Sequence, residues 1–343
     1  MTQARIRKQH KQPYETRFHK CYCLSKAVPR LHNYILPKNL QLVKLSLAAV
    51  FLFLPALGRS WGRQGHATIA LVAERLMNPA AKHLVDQLRQ APGWEALKPG
   101  NNRYFRSADE DLIRFCQGPD ADLSLVAEWA DAWRESHPET ASWHYVDTPL
   151  DSDGSPQALT LACGSGCILT RLESALSDLR NAGGAPLARL EALLWVTHLV
   201  GDIEQPLHCA ERDGDKGGNS VGVFVGGRVG NLHSAWDTGF FYVEHARPKE
   251  LAADLLAHEC VDVLAEKGES IKDPAVWAGE SFAVAKNFVY PQVEGNGGHF
   301  SGEEVARAWP VVRLQLARAG VRLAEELNWA AGNTAADAGT SGH

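Results

Sequence analysis

The chain has 343 residues, 45% apolar and 22% charged, values ordinary for a folded globular protein. They exclude a chain disordered throughout, a collagen-like repeat and a coiled-coil fibre, and the length allows a buried core of several helices. The formal charge of −5 hides a split: residues 1–60 hold eleven Lys or Arg and one acid, Glu15, whereas 61–343 hold 24 basic and 39 acidic residues, about −15.

The first element is an apolar run, Leu45 to Leu57, behind Lys38 and Lys44. It is short for a membrane span. Gly58 and Ser60 then stand at the −3 and −1 positions of a cut before Trp61, which together read as a secretory signal peptide. An uncleaved anchor is the alternative, weakened because no stop-transfer pattern comes after it. Residues 1–36 exceed what a signal needs and suggest an over-extended start. Export would free the α-amino group of Trp61, place the protein in a periplasm or outside the cell, and put its thiols in an oxidising compartment. Cys163 and Cys167, in CGSGC, are expected to form a local disulfide. Cys116, Cys209 and Cys260 are expected to give one further pair and one buried thiol.

Helical spacing dominates the chain after Trp61. Apolar residues recur at three- and four-residue steps over His66–Met77, Leu123–Arg134, Ile168–Arg180, Leu187–Asp202, Leu251–Lys267, Ala275–Val289 and Glu303–Leu327. Pro79, Pro138, Pro186, Pro274 and Pro291 mark starts or breaks. Val221–Leu232 reads as a short β-hairpin turning at Gly226-Gly227. These elements predict a mainly α, single-domain fold over 61–329 with one small hairpin, after a leader over 1–60 and before a loose tail over 330–343.

Chemistry concentrates in His198-Leu-Val-Gly-Asp202, a pair four residues apart on one helix face. His208 comes next, after Gln205-Pro206, and His233 and Asp237 repeat the four-residue spacing. Imidazole and carboxylate suit zinc. One such pair alone is usually a surface ion pair worth about 0.3–0.5 kcal/mol. Two pairs in apolar, Trp- and Gly-rich surroundings favour a metal, because a buried carboxylate needs compensation and no Lys or Arg is near Asp202 in sequence. Glu128-Trp-Ala-Asp131-Ala-Trp-Arg134, the extended-looking Trp143-His144-Tyr145-Val146-Asp147 and Trp61-Gly-Arg-Gln-Gly65-His66 are further candidates. The remaining histidines, His83, His137, His245, His258, His299 and His343, read as surface groups.

The order W-G-x-x-G-H, W-A-D, W-H-Y-x-D, H-x-x-G-D-x-x-Q-P-x-H, G-G-N, N-L-H-x-x-W-D resembles the S1/P1 nuclease family over nearly all of 61–329. The resemblance implies a compact α-helical fold shared with zinc-dependent phospholipase C, holding three zinc ions. It implies Asp131, His144, His198 and Asp202 at one zinc, and His208, His233 and Asp237 at a second. At the third it implies Trp61, through its amino nitrogen and carbonyl oxygen, with His66 and a bridging Asp202. Arg134 matches a phosphate-contacting arginine, Tyr145 and Asp147 a base-receiving pair, and Asn219 a structural or substrate-positioning residue near the cleft.

Such an enzyme would be a monomer without stable membrane association after signal cleavage. Its substrates would be single-stranded DNA and RNA, cut to 5′-phosphate products, and 3′-nucleotides. The acidic body argues against the broad basic groove of duplex binders. Zinc activates water near neutral pH, so no side-chain nucleophile is required. The alternatives are a zinc-dependent phospholipase C and a non-catalytic zinc-binding secreted protein.

Overall fold

In a computed structural model, residues 61–265 and 273–340 are described. The leader, the signal-peptide run with the chain immediately before the cut, Lys267 and His343 lie outside them. Among the described residues the α-helices of seven or more residues are, in chain order, α1 (Gly62–Leu76), α2 (Pro79–Leu88), α3 (Ala108–Gln117), α4 (Trp129–Ser136), α5 (Pro156–Cys163), α6 (Ile168–Arg180), α7 (Pro186–Ile203), α8 (Pro248–Ala257), α9 (Glu259–Ala265), α10 (Pro274–Val284) and α11 (Gly302–Thr340). Proline opens α2, α5 and α10, where its missing N–H costs nothing. Ahead of them the side chains of Asn78, Ser155 and Asp273 accept from Ala81, Ala158 and Ala275 N–H. The spacing of apolar residues did not mark α2, α3 or α5.

One helix organises the rest. α7 is buried on every side from Ala192 to Ile203, as a helix surrounded by others must be. α1, α2, α4, α6, α10 and α11 pack around it. His198 and Asp202 therefore sit in the interior, on a scaffold held from several directions. β1 (Gly222–Val225) and β2 (Arg228–Asn231) form the expected hairpin, with Val225 opposite Arg228. Gly226 and Gly227 supply the positive φ of its turn. Unexpectedly, β3 (His299–Phe300) joins β1 in parallel.

Several boundaries differ from the periodicity. Leu123–Arg134 divides into the short turn Leu123–Leu125 and α4, which releases the Ala127 carbonyl from helical bonding. The segment from Leu251 breaks at His258 into α8 and α9. After α10 the chain makes a π-helical turn over Ala285–Val289 and continues through the helix Tyr290–Gly295, with Pro291 in its first turn, as a helix start was expected there. α11 passes Leu327 and stays helical to Thr340, where the sequence suggested a loose tail. Cys163 and Cys167 form the expected disulfide. The expected second pair is not made. Cys116, Cys209 and Cys260 are free and buried, in α3, after α7 and in α9, and the Cys209 thiol donates to Ile203 O at 3.3 Å.

Below the end of α7, Glu204 is fully buried and meets Arg322 of α11, which also reaches Glu280 of α10 at 2.6 Å. Gln315 of α11 donates to Glu204 O at 2.8 Å. These contacts tie the last helix to the floor of the central one. Arg322→Ala would leave the Glu204 charge unpaired in the interior and should cost about 3–5 kcal/mol in urea unfolding. A cost below about 1 kcal/mol, the range of exposed pairs, would show that Glu204 does not depend on it.

Candidate metal centre

Each expected ligand is buried: His66, Asp131, His144, His198, Asp202, His208, His233 and Asp237. His198 and Asp202 share one face of α7. α1 lays His66 against that face because residue 201 is glycine: a Cβ there would come within 2.7 Å of His66 Nδ1. The His66 and His198 rings stack with centroids 4.1 Å apart. His144 closes a 3₁₀ turn over Pro138–His144. The expected extended segment thus begins at Tyr145, two residues later than the sequence suggested.

Asp202 is the junction. Its Oδ1 lies 3.3 Å from His66 Nε2, and its Oδ2 lies 2.9 Å from His144 Nδ1 and 3.1 Å from His198 Nε2. Asp131 Oδ1 is 3.8 Å from the same His144 and His198 nitrogens. The second group, His208, His233 and Asp237, has its two Nε2 atoms 3.2 Å apart and His233 Nε2 3.4 Å from Asp237 Oδ2. Three sets with one ligand atom per residue converge in this way: His66, His198, Asp202; Asp131, His144, His198; and His208, His233, Asp237.

The chemistry of these donors tests whether a metal fits. His208 Nδ1 and His233 Nδ1 lie 2.7 Å from the carbonyl oxygens of His144 and Gly217. A carbonyl only accepts, so both Nδ1 atoms carry the proton. In neutral rings both Nε2 atoms then present lone pairs to each other, an arrangement that a cation between or beside them would relieve. Two nitrogens about 2.0–2.1 Å from a tetrahedral zinc would stand about 3.3 Å apart, close to the separation found. His198 repeats the device, donating from Nδ1 to Ala127 O at 2.8 Å and turning Nε2 to the cluster.

Burial pulls His144, His208 and His233 down to about 4 each, so they are neutral, ligand-ready rings above mild acid. Burial also acts on His198, but the Asp202 and Asp131 carboxylates outweigh it and lift this ring to about 9. Burial works to raise Asp202, but the charge of His198 and the hydrogen bonds from His144 and His198 hold it well below its ordinary value. Asp237 is pushed well up by burial, against the Gln205 hydrogen bond.

Arg134 is largely buried and its Nη2 lies 3.0 Å from Asp131 Oδ1, so the expected phosphate contact and a ligand carboxylate are neighbours. Tyr145 and Asp147 point the same way from an extended strip that pairs with the chain after His208, through Val146 N to His208 O at 2.7 Å and Glu211 N to Thr148 O at 2.9 Å. Ile168 N, beside the disulfide, donates to Tyr145 O at 3.2 Å. Tyr145 is exposed, while Asp147 is half-buried and raised to about 6 by burial, with Glu211 and Asp215 adding to it. Asn219 donates to Lys216 O at 2.9 Å, holding the loop whose Gly217 carbonyl orients His233. Trp61 is fully buried at the start of α1, its ring edge-on to Phe241 at 6.1 Å, and its carbonyl accepts from Gly65 N. Of the other histidines, His83, His245, His258 and His299 are exposed, whereas His137 is half-buried and stacks on Trp133.

Two supporting residues were given no role by the sequence. Gln205 donates to Asp237 Oδ1 at 2.6 Å and accepts from Leu207 N; its place in H-x-x-G-D-x-x-Q-P-x-H was the available signal. Asp215 accepts from Gly218 N–H and Arg212 N–H and from the Tyr290 hydroxyl at 2.9 Å. Nothing in sequence spacing connects it to Tyr290.

The S1/P1 Nuclease family pattern matches residues 61–332. Nuclease S1 of Aspergillus oryzae is 28% identical over 317 residues, covering 83% of this chain and 96% of its own. Endonuclease 2 of Arabidopsis thaliana is 26% identical, covering 85% and 97%. Nuclease P1 of Penicillium citrinum is 26% identical, covering 78% and 97%.

Gly201→Ala should drive the His66 ring off Asp202. The expected result is one fewer zinc equivalent per chain by elemental analysis, with the other equivalents retained; full parental stoichiometry would count against this packing role. The pH dependence of the metal-free protein comes from the lowered imidazoles. The unfolded chain takes up protons near pH 6.5, while His144, His208 and His233 resist until about 4. Their contribution to stability is therefore present above pH 6.5 and lost as pH falls towards 4. His198 acts oppositely, with a contribution present below pH 6.5 and lost as pH rises through about 9. Urea unfolding of chelated protein across pH 4–9 should show the imidazole contribution peaking near 6.5, and an unchanged profile in a His208→Gln, His233→Gln variant would contradict the assignment.

Proposed function

The chain belongs to the S1/P1 nuclease family, a nuclease that acts on nucleic acid, and from that premise we propose that it hydrolyses single-stranded DNA and RNA, and 3′-nucleotides, with three zinc ions. Asp131, His144, His198 and Asp202 would hold one, His208, His233 and Asp237 a second, and Trp61, His66 and Asp202 the third. The single observation that supports this best is the pair His208 and His233, each with its proton fixed on Nδ1 by a carbonyl and their Nε2 atoms facing each other at 3.2 Å beside Asp237, an arrangement that a bound cation relieves. Bound zinc supplies a water that ionises near neutral pH and a Lewis acid for phosphoryl oxygen.

The protein's own groups do the rest. Carbonyls of Ala127, His144 and Gly217 fix three rings by their Nδ1–H, so little reorganisation is left for the reaction. Arg134, held by Asp131, would present its guanidinium to the equatorial oxygens of the phosphate. Tyr145 offers a ring to a splayed base, which a single strand can present and a stacked duplex cannot. Asp147, raised to about 6, is a hydrogen-bond acceptor for a base at neutral pH and a donor below it.

Export and cleavage before Trp61 are supported by the basic leader, the apolar run and a family match that opens at that residue. No helix among the described residues is long and apolar enough to cross a membrane.

Arg134→Ala should lower kcat on single-stranded DNA about 10²–10³-fold while elemental analysis shows zinc retained; unaltered turnover would remove Arg134 from the mechanism. A protein with extra residues before Trp61 should lose the third zinc and most activity, because a peptide nitrogen is a poor ligand. Full activity in an unprocessed protein would refute that ligand.

A further inference from the structure

The loop Arg212–Ser220 runs between two ligands of the second cluster, after His208 and before His233. Its Gly217 carbonyl accepts the His233 Nδ1 proton at 2.7 Å, so the place of one oxygen decides which way that ring turns its Nε2. Residue 217 is glycine for this reason: its φ is +60°, and a Cβ there would come within 2.3 Å of Leu207 O. Asp213 and Lys216 also stand at positive φ, 53° and 58°. Residues with side chains keep that conformation only where their surroundings impose it.

Asp215 imposes it from inside the loop. Its Oδ1 accepts from Arg212 N–H at 3.1 Å and from Gly218 N–H at 3.0 Å, closing the loop from both sides. Its own carbonyl accepts from Ser220 N–H at 3.0 Å. The Tyr290 hydroxyl donates to the same carboxylate, 3.0 Å from Oδ1 and 2.9 Å from Oδ2. Both residues are buried, and burial together with the Asp215 charge pushes the phenol up, so it stays protonated and donating. Arg212 lies over the Tyr290 ring at 4.6 Å and pairs with Glu294. The helix Tyr290–Gly295 is anchored in turn, because Gln292 donates to Glu304 O of α11 at 2.8 Å. One hydroxyl thus ties the loop to a helix that α11 holds.

We propose that Asp215 and Tyr290 are positioning residues for the second zinc: together they hold the Gly217 carbonyl on His233 Nδ1, and through it they aim the ring at His208 and Asp237. The role rests on the three-zinc reading and extends it to groups that touch neither metal nor substrate. It predicts that zinc affinity at one site depends on a phenol hydroxyl 57 residues beyond the ligand it serves.

The test is zinc affinity, measured on the zinc-loaded protein by competition with a chromophoric chelator. Asp215→Ala should weaken one zinc equivalent about tenfold or more and leave the others within about threefold of the parent. Asp215→Asn keeps an oxygen for the Arg212 and Gly218 N–H groups and should recover most of that affinity. Tyr290→Phe keeps the ring and removes only the hydroxyl. It should weaken the same equivalent about threefold or more, and it carries the test if the alanine variant does not fold. In a His233→Gln background, which lacks the ring being aimed, neither Asp215→Ala nor Tyr290→Phe should move zinc affinity further. Parental affinity in both variants, equal weakening of every equivalent, or an undiminished effect in the His233→Gln background would overturn the positioning role while leaving a zinc protein. A parent whose zinc content is unaltered by His233→Gln would overturn the three-zinc reading, and the positioning role with it.

Discussion

The structure depends on holding one carboxylate, Asp202, without water among imidazoles. Desolvation of an unpaired carboxylate is expensive, and here the offset comes from rings on four separate segments: His66, His144, His198 and, more distantly at 3.9 Å, His208. Each ring is itself restrained. A buried charge of this kind is stable only while every partner is present, so the requirement spreads outward to α1, the 3₁₀ turn before Tyr145, α7 and the chain after it.

That spread explains features that otherwise look unrelated. α7 is buried all round because its end carries the junction. Gly201 is small because α1 must press His66 onto it. The break between Leu125 and Trp129 exposes a carbonyl at Ala127 that a continuous helix would have consumed, and His198 uses it. Gln205 and Asn219 act at one remove, the first on Asp237 and the second on the loop that orients His233. The substrate-side residues share the same supports: the strip carrying Tyr145 and Asp147 is zipped to the chain just after His208, so ligand geometry and base geometry are coupled through one pair of extended segments.

Much of this was legible in the sequence because its signals are local. The four-residue spacing of His198 and Asp202, and of His233 and Asp237, places each pair on one helical face. Ile168–Arg180 matched its expected bounds, CGSGC closed its disulfide, and Gly226-Gly227 turned its hairpin. The misses are equally physical. Leu251–Lys267 has continuous apolar spacing, yet the backbone leaves the helix at His258, and periodicity does not report such a break. The three remaining cysteines were expected to yield a pair on count alone, but pairing needs proximity, which count does not report, and all three are free and buried.

The sequence by itself determined which groups can coordinate, because residue type and covalent spacing set donor chemistry and helical face. Only the tertiary structure decided which nitrogen of each ring faces the cluster, since that is chosen by carbonyls 16 to 71 residues away. It also decided that Asp215 meets Tyr290 across 75 residues and that Glu204 meets Arg322 across 118. Contacts at such separations arise from how helices pack around α7, and no local pattern records them.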